Sequence, residues 1–182
     1  MINIHETQTI TIVVDSDVDG FTSAAIFIQY LHKWNPKAHI VPILHKGKGH
    51  GLSDTFEDVL ETLPSFIVIP DAGSNDYEYM EKIRNNFTND GSAPEFLILD
   101  HHIVEPDTKF SEHAVIVNNQ LSSNYQNKDL CGAGVTWQFC RYYDSLKNYY
   151  ELDEYIFVHG YIPCVNKYIK YEYKPDWRES SD

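Results

Sequence analysis

The amino-acid sequence predicts an α/β fold, a mostly parallel sheet flanked by helices in a single domain. Three observations lead there. Short β-branched runs alternate with amphipathic stretches, the pattern of a sheet built from crossover units. The 182 residues match one ordinary folding unit and leave no room for two catalytic domains. The chain also lacks an internal repeat, which excludes solenoids and propellers.

Thr9 to Val14 reads as a first buried strand, and Phe21, Ala24, Ala25, Ile28 and Leu31 then recur at helical spacing before the Asn35-Pro36 break. Gly20 lets the chain turn into that helix. A second strand spans His39 to Leu44. Ser53 or Asp54 is placed to cap a helix reaching Leu63, which Pro64 closes. Phe66 to Pro70 reads as a third strand, Asp76 to Phe87 as a helix, Glu95 to Leu99 as a fourth strand and Ala114 to Val117 as a short fifth. Two more helices, Ala133 to Leu146 and Glu151 to His159, are expected on either side of a polar bend at Asn148.

Composition narrows the chemistry. An apolar content of 42% with 23% charged residues is that of a folded protein, and no apolar run approaches the roughly 20 residues a membrane span needs. The first residues, Met1 to Glu6, lack the basic and apolar regions of a secretory signal, so a cytoplasmic, non-membrane protein is expected. Cys131, Cys140 and Cys164 form no CxxC pair, and reduced thiols are the expectation. With 27 acidic against 14 basic residues the formal charge is -13, which repels phosphate polymers unless the charge is compensated locally. A phosphate substrate therefore calls for metal ions.

Three clusters could supply them. Asp15, Asp17 and Asp19 alternate directly after the first strand, where extended backbone points alternate side chains the same way. Such crowding is costly without protons or divalent cations, although solvated acids in a helix-capping turn read equally well from this segment alone. Asp71 follows the third strand, and Asp100, His101 and His102 follow the fourth. That edge is where open α/β sheets bind ligands, and carboxylates mixed with imidazole suit Mn²⁺, Mg²⁺ or Fe²⁺. Two such ions bridged by one carboxylate are able to activate water against phosphorus.

With Asp17-Val18-Asp19-Gly20, Asp71 and the Asp100-His101-His102 triplet in order, the sequence resembles the DHH phosphoesterase superfamily. Two further segments resemble its RecJ-type single-strand exonuclease branch: Gly47 to Ser53, similar to a Gly-Tyr-Gly-Leu-Ser stretch, and Leu130 to Val135, similar to a glycine-rich helix start. The resemblance runs from about Ile10 to Ile162. It implies a Rossmann-like catalytic domain with two divalent ions, Mn²⁺ first and Mg²⁺ second. One ion would sit on Asp17 and Asp71, the other on Asp19, Asp71 and His101, with Asp71 bridging. Asp15 stands where the RecJ-like members place an acid. Members acting on small molecules often carry a histidine four residues before the first motif acid, a position occupied here by Val13. His102 would face the substrate phosphate, and Asp100 would orient a neighbouring histidine.

Lys46, Lys48 and His50 lie in the glycine-rich loop between the second strand and the next helix, as phosphate contacts or as solvated side chains of a flexible connection. Gly132 and Gly134 open a helix toward an anion or permit close helix packing. The resemblance also implies departures. A last metal-binding Asp of the family falls on Cys164, and the second, substrate-covering domain is missing, so residues 1–164 form the phosphoesterase domain and residues 165–182 a truncated tail. A second copy or a partner would supply the missing lobe. Three readings stay open: a nuclease acting on single-stranded nucleic acid, a weakened nucleotide- or partner-binding domain, and a phosphodiesterase for short oligonucleotides or cyclic dinucleotides. The tyrosines crowded near the end, interleaved with Lys167, Lys170 and Lys174, read as base-stacking groups or as packing.

Overall fold

The computed structural model describes residues 8–87, 93–151, 160–162 and 167–169. Strand β1 (Thr9–Val14) leads into helix α1 (Val18–Trp34), followed by β2 (His39–Leu44), α2 (Phe56–Glu61), β3 (Phe66–Pro70), α3 (Tyr77–Asn86), β4 (Glu95–Asp100), β5 (Ala114–Asn118) and α4 (Gly132–Glu151). The five strands form one parallel sheet in the order β2-β1-β3-β4-β5. A short antiparallel pair, β6 (Gly160–Ile162) and β7 (Lys167–Ile169), follows.

β1, β3 and β4 are buried almost throughout, because both faces of the sheet are covered, and they read as continuous apolar runs for that reason. Successive residues nevertheless feed opposite cores. Ile10, Ile12, Val14, Val68, Leu97 and Leu99 pack with Ala24, Phe27 and Leu31 of α1 and Val135 of α4. Val13, Ile67, Ile69, Phe96 and Ile98 pack on the other side with Val59 of α2 and Met80 and Ile83 of α3. Each such aliphatic side chain contributes roughly 1.5–3 kcal/mol by leaving water. Pro42, lacking a donor, sits on edge strand β2, where the ladder tolerates it.

Helices α1 and α4 run side by side in the same direction. Asp19 meets Gly132 and Ala133 at their first turns, Phe27 meets Phe139 midway with ring centroids 6.4 Å apart, and Lys33 pairs with Asp144 at 2.8 Å further on. Both N-termini therefore point to the sheet edge that carries the acidic motifs.

The five strands of the parallel sheet agree with the sequence expectation, β4 and β5 each reaching one residue further, while β6 and β7 were not expected. Two helical expectations are corrected. α2 begins at Phe56 because residues 51–55 form turns, in which Thr55 Oγ1 donates to Gly51 O at 3.2 Å instead of capping the helix. α4 continues through Asn148 to Glu151 without the expected bend, since nothing in that polar stretch removes a helical hydrogen bond. The helix expected at Glu151 to His159 lies, apart from its first residue, outside the described residues, as does Cys164.

Candidate metal centre

The strand order changes direction between β1 and β3, with β2 on one side and β4 and β5 on the other. In such sheets the crevice beyond the carboxyl ends at this switch point takes the ligand. Asp15, Asp17 and Asp19 follow β1, Asp71 follows β3, and Asp100 to His102 end β4, so all three sequence clusters meet there.

Asp71 is fully buried and holds a left-handed backbone conformation (φ 77°), an arrangement non-glycine residues avoid unless the surroundings impose it. Its N–H donates to Leu99 O at 2.7 Å, which ties the turn to β4. Its Oδ1 has no hydrogen-bond partner; His101 Nε2 approaches at 3.2 Å without hydrogen-bond geometry. Burial first, then the charge of Asp19 and a carboxyl–carboxyl hydrogen bond with it, then the charge of Asp17, push the Asp71 carboxyl up to about 8. A buried, unpartnered oxygen on an acid that resists ionising is what a cation would relieve. Asp71 is also shared by two groups whose ligand atoms lie within 4.8 Å of one another, Asp15 with Asp17 and Asp71, and Asp71 with His101 and His102. Hard oxygens with imidazole nitrogens fit Mn²⁺ or Mg²⁺.

Each neighbour is held in a particular way. Asp15 is buried, accepting from Ser16 N at 2.7 Å and from His50 Nδ1 at 2.8 Å. Gly20 packs so tightly on Asp15 that a Cβ there would stand 2.5 Å from the Asp15 Cβ, which explains the glycine that ends the motif. Asp17 caps α1 by accepting from Gly20 N at 2.9 Å. Asp19 accepts from Gly132 N at 2.7 Å and Ala133 N at 2.9 Å. Burial opposes its ionisation, but those donors together with Cys131 outweigh it and hold the carboxyl below its ordinary range. The α4 N-terminus thus does receive an anion, and the anion is Asp19. Asp19 Oδ2 also lies 3.6 Å from His101 Nε2. Gly132 is the glycine this requires, since a Cβ would collide with the Asp71 carboxylate.

Asp100 is buried and fully engaged. It accepts from His101 N at 2.7 Å, His102 N at 3.1 Å, His102 Nδ1 at 2.8 Å and Ser74 N at 3.0 Å. Burial opposes the charge, yet these hydrogen bonds, His102 and Ser74 foremost, bring the carboxyl down to about 2. The same contact raises His102 to about 9 in the absence of metal, with Nδ1 on Asp100 and the ring half-exposed. His101 and His102 lie with ring centroids 4.5 Å apart.

A cleft of about 550 Å³ adjoins this centre, lined among others by His50, Ser74, Asn75, Asp76, His102 and Ile103. Of the loop residues expected to touch phosphate, His50 lines the cleft, Lys46 instead pairs with Asp58 at 3.0 Å, and Lys48 is exposed without an ion pair among the described residues. Gly134 lies on α4 with Leu130 as its close neighbour and does not reach the acids. Buried Asn118 escaped the sequence reading. Its Nδ2 donates to Ser74 Oγ at 2.8 Å and to His102 O at 2.9 Å, and its Oδ1 accepts from Gln120 N at 2.8 Å. The available signal was its position, a polar residue ending a fifth parallel strand at the same edge as the acids.

A family model described as the DHH family, N-terminal domain, matches residues 9–158. The chain belongs to the DHH family. A Bacillus subtilis (strain 168) relative, "Putative SPbeta prophage-derived single-strand DNA-specific exonuclease YorK", is 39% identical over 154 residues, and its Bacillus phage SPbeta counterpart is equally similar. The match spans 85% of this chain and 25% of each relative, so the DHH chain covers about a quarter of their length. Among solved structures, manganese-bound exonuclease RecJ is similar with a TM-score of 0.57 at 24% identity, over 73% of this chain and 32% of that one. RecJ from Thermus thermophilus in complex with Mn²⁺ gives 0.58 at 20% identity, over 77% and 19%. At those identities the likeness speaks for the fold of the DHH domain. No helix among the described residues is long and apolar enough to cross a membrane.

Proposed function

We propose that this DHH domain hydrolyses phosphodiester bonds of single-stranded nucleic acid, as a nuclease acting from strand ends, with two divalent ions, Mn²⁺ first, held around Asp71. The observation that carries the reading is Asp71 itself: buried, with Oδ1 unpartnered, resistant to ionising, and common to both groups of potential ligands. Asp15, Asp17 and Asp71 would hold one ion, and Asp71 with His101 the other. Bound there, the ions supply Lewis-acid charge at the phosphate and lower the pKa of water.

The chain's own residues do the rest. Asp100 fixes the His102 ring at Nδ1, leaving Nε2 as a cationic donor toward a phosphate oxygen. His50, held at Nδ1 by Asp15, offers its other nitrogen along the same cleft. Asp19 keeps the α4 N-terminus against the centre, which sets Gly132 beside Asp71. To the same reading belong residues 1–164 as the catalytic unit, a second copy or a partner protein covering the substrate, and action in the cytoplasm. The relatives' printed activity, single-strand DNA-specific exonuclease, supports the choice of substrate.

The test is calorimetric titration of metal-stripped protein with Mn²⁺, followed by digestion of end-labelled single strands, with Asp71→Asn as control. Two sites lost together in the variant, and digestion that chelator stops, are the expected results. Digestion that persists in excess chelator overturns the mechanism. Two filled sites without digestion favour a domain that binds nucleic acid or a partner without turnover.

A further inference from the structure

Although the formal charge is -13, one surface carries almost no free acid. α1 and α4 lie in parallel on one face of the sheet, and both start at the candidate metal centre. From residue 18 to 34 of α1 the single carboxylate is Asp19, bound to Gly132 and Ala133. From residue 132 to 146 of α4 it is Asp144, paired with Lys33. The outward side chains are instead neutral polar (Thr22, Gln29, Gln138, Ser145), apolar, aromatic or basic. Val18 is 83% exposed, Phe21 51% and Trp137 47%, and the Arg141 guanidinium stacks 4.5 Å from the Trp137 ring centroid.

We propose that this α1/α4 face is a track for single-stranded nucleic acid leading away from the metal centre, a proposal that rests on the phosphodiesterase reading above. Phe21 and Trp137 offer ring faces on which bases stack irrespective of sequence. Arg141 places positive charge beside the Trp137 ring, on a face about 22 Å long by the helical rise from Val18 to Lys33. Two features favour a polyanion over a protein partner. The face is relieved of acids in a strongly acidic chain, and it is continuous with a centre built to meet phosphate. The track gives the domain a hold on nucleotides beyond the one at the centre, which the cleft beside His102 is too small to provide.

The test uses the full Mn²⁺-loaded chain, with phosphorothioate oligothymidylate as a hydrolysis-resistant probe and the corresponding dinucleotide for comparison. Fluorescence anisotropy reads affinity, and titration reads the Mn²⁺ sites. Trp137→Ala and Arg141→Gln are each expected to weaken binding of the long strand about ten-fold or more, with dinucleotide affinity and Mn²⁺ stoichiometry unchanged. Binding of the long strand should also quench Trp137 fluorescence, read as the signal missing from Trp137→Ala. Equal affinity of wild type and both variants for the long strand overturns the track and leaves the phosphodiesterase reading intact. A wild-type chain with filled Mn²⁺ sites that binds neither probe overturns both. A dimer that Trp137→Ala converts to monomer, with strand affinity unchanged, assigns the face to a second copy and overturns the track.

Discussion

Gly132, the first residue of α4, lies against the carboxylate of Asp71 so closely that a methyl group in place of its hydrogen would overlap the acid. The close approach explains why a glycine opens α4 and why Asp71 is buried. Gly132→Ala is therefore expected to displace Asp71 or α4, costing about 1–3 kcal/mol of stability as other overpacked sites do. Mn²⁺ titration should show both sites weakened together. Gly134→Ala is the control: the nearest atom to a Cβ there is Leu130 Cδ2 at 2.9 Å, the mobile end of a side chain, and Mn²⁺ binding should persist.

Asp71→Asn is expected to abolish Mn²⁺ binding yet stabilise the metal-free protein at alkaline pH. The folded carboxyl sits at about 8 against an ordinary 3.8, so between those values the folded state holds a proton the unfolded state has lost. That contribution is complete below the ordinary value and disappears as pH rises through 8. Asparagine has no proton to lose. In excess chelator, thermal melts of the two proteins should converge near pH 4, with the variant melting higher at pH 9. A variant that melts lower across the range would show that Asp71 does not bear the penalty of burial. With metal present the order reverses, because only the wild type gains the binding free energy.

The strands and most helices were legible because each strand is one apolar run bounded by turn residues, and the topology then brings every strand end to one edge. That Asp17, Asp71 and Asp100 to His102 meet at one edge was legible for the same reason. The loop chemistry was not. Lys46 read as a phosphate contact or as a solvated side chain, and its pairing with Asp58 on α2 depends on the fold of residues 47–55 and not on spacing. Asp19 was expected among the ligands; that its oxygens also accept from the start of a helix 113 residues further along the chain was not legible. Asn118 carried no motif, since its partners Ser74 and His102 come from two other crossover units. Contacts of that kind depend on register between strands distant in sequence.

His102→Gln tests the Asp100 pair. Asp100, brought down to about 2, contributes stability that is complete above its ordinary 3.8 and lost as pH falls toward 2. His102, raised to about 9, contributes stability that is complete below its ordinary 6.5 and lost as pH rises through 9. The pair is thus fully effective from about pH 4 to 6.5. Without metal, the gap in melting temperature between wild type and His102→Gln should be widest there and close above pH 9. The gap is expected to be modest, because the imidazole is 50% exposed and solvent screens it. A gap independent of pH would mean the ring contributes by packing and not by charge.

Asn118→Ala separates the support of the centre from its ligands. The side chain is fully buried and makes three hydrogen bonds, so its loss removes the partner of Ser74 Oγ, His102 O and Gln120 N, the last two in part-buried bonds. Each group left unpaired costs about 1–3 kcal/mol, less whatever water can recover, and a drop of several degrees in melting temperature is expected. The acids and His101 keep their own attachments, so the number of Mn²⁺ ions bound should stay as in wild type. His102 loses the bond that fixes the backbone of its turn, and phosphate capture should suffer, seen as a lower kcat on single strands at saturating Mn²⁺. Asn118→Asp would keep the shape but place a carboxylate where Nδ2 now donates to a carbonyl, and it should melt lower than Asn118→Ala at neutral pH. Wild-type turnover in Asn118→Ala would show that the β5 end is dispensable to the catalytic edge.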